Sequence, residues 1–330
     1  MIQYGESSCV AAAIALLALT GCATAAPAKP VAGVVFEYTA ASEEERAAQE
    51  EVLRADDEAR AAIKEARLQA ERAGVDSFDR GTDEGLSEEA AAAWRAYERL
   101  IIGQVDRYEL FLRKYPDNWF VRHRYAWFLS DQTMNYEAAD EWRRVIRREP
   151  RFPFAHNNLG SLYNHMGRDM EAVDLFLKAI ELYDQDPVFH LNLAVNYSVH
   201  RDPVAEKFGW DLPRVWRECM ASYRRALALS PTDVEIARDI ATQHVLARFF
   251  QVPDTTDQAL KDWEYCLSLE LTDAQRGAAC RAVGGLYLKQ KKDYAAAIEW
   301  LEKADTHFRG DDPSTTMLLE RARKAAADAP

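Results

Sequence analysis

The sequence predicts an all-α fold built from repeated antiparallel helix pairs, and three observations predict it. Small residues Ala126, Gly160 and Ala194 stand 34 positions apart, and Tyr125, Leu159 and Leu193 just before them keep the same spacing. The well-defined segments carry helical apolar periodicity. Fourteen glycines and twelve prolines in 330 residues are too few for a long low-complexity chain. With 48% hydrophobic and 29% charged residues the chain suits a folded body with a sizeable core. Its formal charge of −13, about −12 without the first 21 residues, leaves no excess of Lys and Arg to displace counterions from phosphates. A general nucleic-acid partner is therefore not expected.

The chain opens with Val10-Ala-Ala-Ala-Ile-Ala-Leu-Leu-Ala-Leu19. At about ten residues this apolar run is too short for the roughly 20 that span a bilayer, and it reads as the core of a signal peptide over 1–21. It runs into Leu19-Thr20-Gly21-Cys22, which resembles the bacterial lipobox, although no Lys or Arg precedes the apolar run. The resemblance implies acylation at Cys22 and a membrane partner through that lipid anchor, with several acyl chains supplying stable attachment. Ala23 follows the cysteine, where aspartate would resemble an inner-membrane retention signal, so the expected location is the cell envelope, at the outer membrane facing the periplasm.

Residues 22–41 are small and proline-bearing and read as a tether. Ser42-Glu-Glu-Glu45 has the form of a capping box opening a charged, Ala-rich helix to about Ala73, so 42–86 is that helix and its linker. This helix is either a spacer or a solvated helix lying on the repeats. Residues 87–118, with Ser87 as cap and Pro116 near the end, are expected to hold a degenerate first helix pair.

Residues 119–310 carry five repeated units. Leu129, Tyr163 and Tyr197 recur in phase, as do Ala138 with Ala172, Trp142 with Phe176, and Pro153 with Pro187. The clearest copy is Asn157-Asn-Leu-Gly-Ser-Leu-Tyr163 followed by Glu171-Ala-Val-Asp-Leu-Phe-Leu-Lys-Ala179. This pattern resembles the tetratricopeptide repeat, whose resemblance implies a right-handed α-solenoid. Two units carry insertions, around His200 to Pro213 and from Phe249 to Thr256. Phe208, Trp210, Phe249 and Phe250 within them are expected either to overhang a groove or to pack down. The fifth copy, Val283-Gly-Gly-Leu-Tyr287 with Tyr294 to Ala304, has one extra residue placed in the Lys291-Lys292 turn. Residues 311–330 are a capping helix and tail.

No catalytic constellation emerges. His200-Arg201-Asp202 matches a fragment of a kinase catalytic loop, but the asparagine expected afterwards is Lys207. Neither His-Glu-x-x-His nor Gly-x-x-x-x-Gly-Lys occurs, so no metal, cofactor or enzymatic activity is expected. Three cysteines remain in the expected mature chain: Cys219, Cys266 and Cys280. Small buried thiols suffice to explain the first two, and a Cys266–Cys280 disulfide is open.

The candidate site is polar. Asn157, Asn158, Asn164 and Asn192 fall on first helices of two successive units, with Asn158 and Asn192 34 residues apart. In the family resembled, first helices line a groove that holds extended peptides. An asparagine amide can both donate to and accept from a peptide backbone. His123, Arg124, Trp127 and Arg238 would add cationic and aromatic contacts there. The implied partner is a protein or peptide segment and the implied role an envelope-anchored adaptor; the alternative is a fixed subunit of an outer-membrane or pilus-type assembly.

Overall fold

The computed structural model describes residues 38–75 and 85–329. The signal-peptide reading, most of the tether, and Cys22 lie outside the described residues. The chain divides into two compact units at Asp184/Gln185.

The first unit stacks three helix pairs: α1 (Glu43–Arg72) with α2 (Glu88–Lys114), α3 (Trp119–Asp131) with α4 (Asn135–Arg148), and α5 (Pro153–His165) with α6 (Asp169–Leu182). Residues 87–118 therefore do not form a helix pair. They form one 27-residue helix, α2, whose partner is α1. No proline or cap interrupts 88–114, and Gly103 in its middle is in helical conformation, so nothing in this run breaks the helix.

The Ser42 hydroxyl caps α1 by accepting from the Glu45 amide at 3.1 Å. The Glu45 carboxylate reaches one residue beyond the cap, to the Ala41 amide at 2.8 Å. It also accepts from Tyr38 Oη at 2.7 Å and Asn118 Nδ2 at 3.0 Å. Burial raises the Glu45 pKa, but these hydrogen bonds outweigh it and hold the carboxyl below its usual value. Asn118 in turn caps α3 through the Val121 amide, so one polar chain ties two helix starts together.

The second unit pairs α7 (Pro187–Val199) with α9 (Leu212–Leu229), α10 (Val234–Gln243) with α11 (Thr256–Leu267), and α12 (Asp273–Leu286) with α13 (Tyr294–Phe308). A last helix, α14 (Pro313–Ala327), packs on α13. The insertions pack down. One forms α8 (Arg201–Phe208), after which Phe208 and Trp210 stack at 4.5 Å and both meet Tyr197 edge-on. The other overlaps the end of a 3-10 segment, His244–Phe250, whose Phe250 lies 5.3 Å from Trp216.

The extra residue expected in the Lys291-Lys292 turn coincides with a π-helical turn, Tyr287–Lys291, that closes α12. Cys219, Cys266 and Cys280 are buried free thiols, so the open Cys266–Cys280 disulfide is not formed, and burial pushes each above its usual pKa.

In two of the pairs, α5 with α6 and α12 with α13, the helices approach closely at a glycine. A Cβ on Gly160 would stand 2.8 Å from Phe176 Cε1 and 3.2 Å from Leu175 Cβ, and one on Gly284 would stand 2.7 Å from Leu301 Cγ. The described fold is all-α and of tetratricopeptide-repeat type.

Candidate functional site

In the first unit, the helices that open each pair are α1, α3 and α5. The buried stripe of α1 runs Val52, Asp56, Ala59, Ile63, Ala66, Ala70, a four-three spacing that places one acid among apolar residues. The Asp56 side chain is fully buried and accepts from Arg60 Nε at 3.0 Å and Arg124 Nη2 at 2.7 Å. Arg124 also meets Asp57 at 2.9 Å, and Arg60 pairs with Asp131. The Trp127 ring lies against both guanidiniums, its centroid 3.9 Å from Arg60 and 5.0 Å from Arg124. Arg124 and Trp127, expected on an open groove, are thus engaged in clamping α3 to α1.

His123 also departs from expectation. It is buried, and its Nδ1 accepts from Trp142 Nε1 at 3.2 Å while Phe152 meets its ring edge-on at 4.9 Å. Burial, aided by the nearby Arg124 charge, lowers its pKa from 6.5 to about 3, so it is a neutral core residue and supplies no cationic contact. With the folded pKa depressed, its stabilising contribution is whole above the unfolded value of about 6.5 and is lost as pH falls through the folded one. The loss runs at up to about 1.4 kcal/mol per pH unit. His123→Gln, which keeps an acceptor for Trp142, should show a smaller drop in urea midpoint between pH 7 and pH 5 than wild type. An unchanged drop would place the pH sensitivity elsewhere.

The asparagines divide. Asn157 is buried and donates from Nδ2 to Asn158 Oδ1 at 3.2 Å, whereas Asn158 is partly exposed. Neighbouring positions on a helix differ by about 100°, and here Asn157 turns toward the core while Asn158 reaches the surface. Asn164 is partly exposed in the first unit, and Asn192 is partly exposed on α7 of the second.

In the second unit, α10, α12 and α14 border a pocket of about 520 Å³. Arg238, Asp239, Ala241 and Thr242 contribute from α10, Ala278, Arg281, Ala282 and Gly285 from α12, and Leu318 from α14. Ala259 and Trp263 of α11 are buried beneath, and Val245 stands 57% exposed at the 3-10 segment. Arg238 is held by Glu235 and by Asp239 at 3.1 Å, and Arg281 pairs with the α14 cap, Asp312. On the wall, His244 Nε2 bonds Asp262 at 2.7 Å. Burial raises the Asp262 pKa, but hydrogen bonds from His244 and Arg224 hold it below its usual value.

Sequence reasoning missed both the Asp56 clamp and this pocket. The clamp had a signal, an acid at a core spacing of α1. The pocket had a fainter one in the adjacent glycines 284 and 285.

Residues 155–186 and 284–306 match the family model described as "Tetratricopeptide repeat". Those segments are α5 with α6, and the end of α12 with α13. The repeat is a protein-interaction scaffold. Among curated proteins none matches. Among solved structures the chain is similar to YrrB, a TPR protein with an unusual peptide-binding site, at 18% identity over 66% of this chain and 97% of that one, with a TM-score of 0.48. It is also similar to MamA, at 16% identity over 52% of this chain and 82% of that one (TM-score 0.41). A tetratricopeptide repeat protein from Parabacteroides merdae shows 14% identity over 86% and 100% (TM-score 0.41). No described helix is long and apolar enough to cross a membrane.

Proposed function

We propose that the protein is an adaptor that holds a segment of a partner protein against its first helices, and that it works from the cell envelope, anchored by acylation at Cys22. The observation that carries the binding reading is the open, largely apolar pocket on α10, α12 and α14, with Val245 exposed beside it. Ligand sites are usually concave and apolar with a few placed polar groups, and this pocket has that composition. Arg238 remains a contact in this reading. Asn158, Asn164 and Asn192 are proposed as polar contacts, each on the face of its own unit. His123, Asn157, Arg124 and Trp127 are not, because the core and the clamp occupy them.

A second reading, a fixed subunit of an envelope assembly, is favoured by Ile102 and Leu110 on α2, exposed to 58% and 60%. Crosslinking in intact cells followed by mass spectrometry separates the two. An adaptor yields exchangeable partners below one-to-one, while a subunit yields one constant assembly. Recovery of no attached protein from membranes that hold the acylated chain sinks both.

A further inference from the structure

We propose that the pocket on α10, α12 and α14 seats one bulky apolar side chain of a partner segment, flanked in that segment by acidic residues. This rests on the protein-binding reading above and adds the chemistry of what is bound.

The first argument is the contrast between two adjacent glycines. Gly284 is needed for packing, since a Cβ there would stand 2.7 Å from Leu301 Cγ and 3.2 Å from the Ala297 carbonyl oxygen. A Cβ on Gly285 would meet nothing within 4 Å, and its backbone is ordinary helix. A glycine inside a helix costs roughly 0.5–1 kcal/mol relative to alanine, and no packing contact at Gly285 offsets it. What Gly285 does is leave space in the pocket wall, as Ala241, Ala278 and Ala282 do beside it. Small side chains around about 520 Å³ make room for a large apolar group.

The second argument is charge. Arg238, Arg281 and Lys289 line the pocket against one carboxylate, Asp239, in a chain of formal charge −13. The two arginines are held by carboxylates of the chain, so they are fixed in place. Lys289 is exposed and forms no ion pair among the described residues. Glu235, Asp239 and Asp312 offset the two arginines, so Lys289 is the lining cation that no ion pair holds, and on an acidic protein it favours an acidic residue beside the seated side chain, while like-charge repulsion from the rest of the surface disfavours that segment elsewhere.

The test uses the full chain and labelled peptides read by fluorescence anisotropy. The probe is Glu-Asp-Phe-Asp-Glu with blocked ends, compared with the same peptide carrying Ala for Phe and with Lys-Lys-Phe-Lys-Lys. The acidic Phe peptide should bind. Ala for Phe should weaken it about tenfold or more, as expected for losing one buried aromatic side chain. Gly285→Leu, whose Cβ meets no atom within 4 Å and whose longer side chain takes up pocket space, should weaken binding about tenfold while melting no lower than wild type. Lys289→Glu should weaken binding severalfold and flatten its salt dependence. If Gly285→Leu melts lower, the exposed Lys289 variant carries the test.

The proposal falls if the acidic Phe peptide does not bind wild type, if it binds Gly285→Leu equally, or if the Lys-flanked peptide binds as well. Should Gly285→Leu still capture protein in cells while wild type ignores the peptide, this inference is lost and the adaptor reading stands. If wild type captures nothing in cells, the adaptor reading itself is lost.

Discussion

Asp56→Ala is expected to destabilise the first unit by about 3–5 kcal/mol, the usual cost of removing one partner from a buried ion pair. The Asp56 side chain is fully buried between Arg60 and Arg124, and buried atoms Arg60 Nη2 and Arg124 Nε have no hydrogen-bond partner. Without Asp56 the two guanidiniums that share its Oδ2 lose their common partner, with only Asp131 and Asp57 left to compensate. The contrast is Lys114–Glu44, whose side chains are 58% and 72% exposed. Glu44→Ala should cost at most about 1 kcal/mol. Chemical denaturation of both variants gives the comparison, repeated at 1 M salt, where the Asp56 effect should persist because a buried pair is poorly screened. The decisive complement replaces Asp56, Arg60 and Arg124 together with apolar residues of similar size. It should recover much of the loss, since an apolar core avoids desolvating the charges. A cost for Asp56→Ala no greater than that of Glu44→Ala would show that the clamp does not hold α1 to α3.

Phe176→Ala should cost about 3–5 kcal/mol, the range for truncating a fully buried aromatic residue. Phe176 is wholly buried and its ring fills the notch that Gly160 leaves between α5 and α6. Backbones that already approach this closely cannot collapse much further, so the cavity persists and the cost sits high in its range. Hydrogen exchange is the sensitive measurement, because opening of α5 and α6 should accelerate well before the unit as a whole unfolds. Phe176→Leu, which retains most of the apolar volume, should cost clearly less. Equal effects of the two variants would mean that the Gly160–Phe176 contact does not close the pair.

The helix pairs were legible because each buries a regular apolar stripe, and Gly160 and Phe176 recur in step with the 34-residue period. At residues 87–118 the Ser87 cap and Pro116 suggest a degenerate pair, whereas α2 continues unbroken with α1 as its partner. Charged residues were the harder part. Arg124 and Trp127 look like groove contacts in sequence, and only the fold brings Asp56 from 68 positions away to occupy Arg124. His123 reads as a surface cation until Trp142 and Phe152 are found around it. Asn157 and Asn158 are alike in sequence, and their different fates depend on which of two neighbouring directions faces the core.

The most direct test of the binding face is site-specific photocrosslinking in intact cells, with benzoylphenylalanine placed at Val245 beside the pocket or at Ala295 on the exposed side of α13. The account predicts adducts with a partner protein from position 245, lost when Gly285→Leu is introduced, and few or none from position 295. Adducts from position 295 with none from position 245 would contradict it, placing the partner on the second helices.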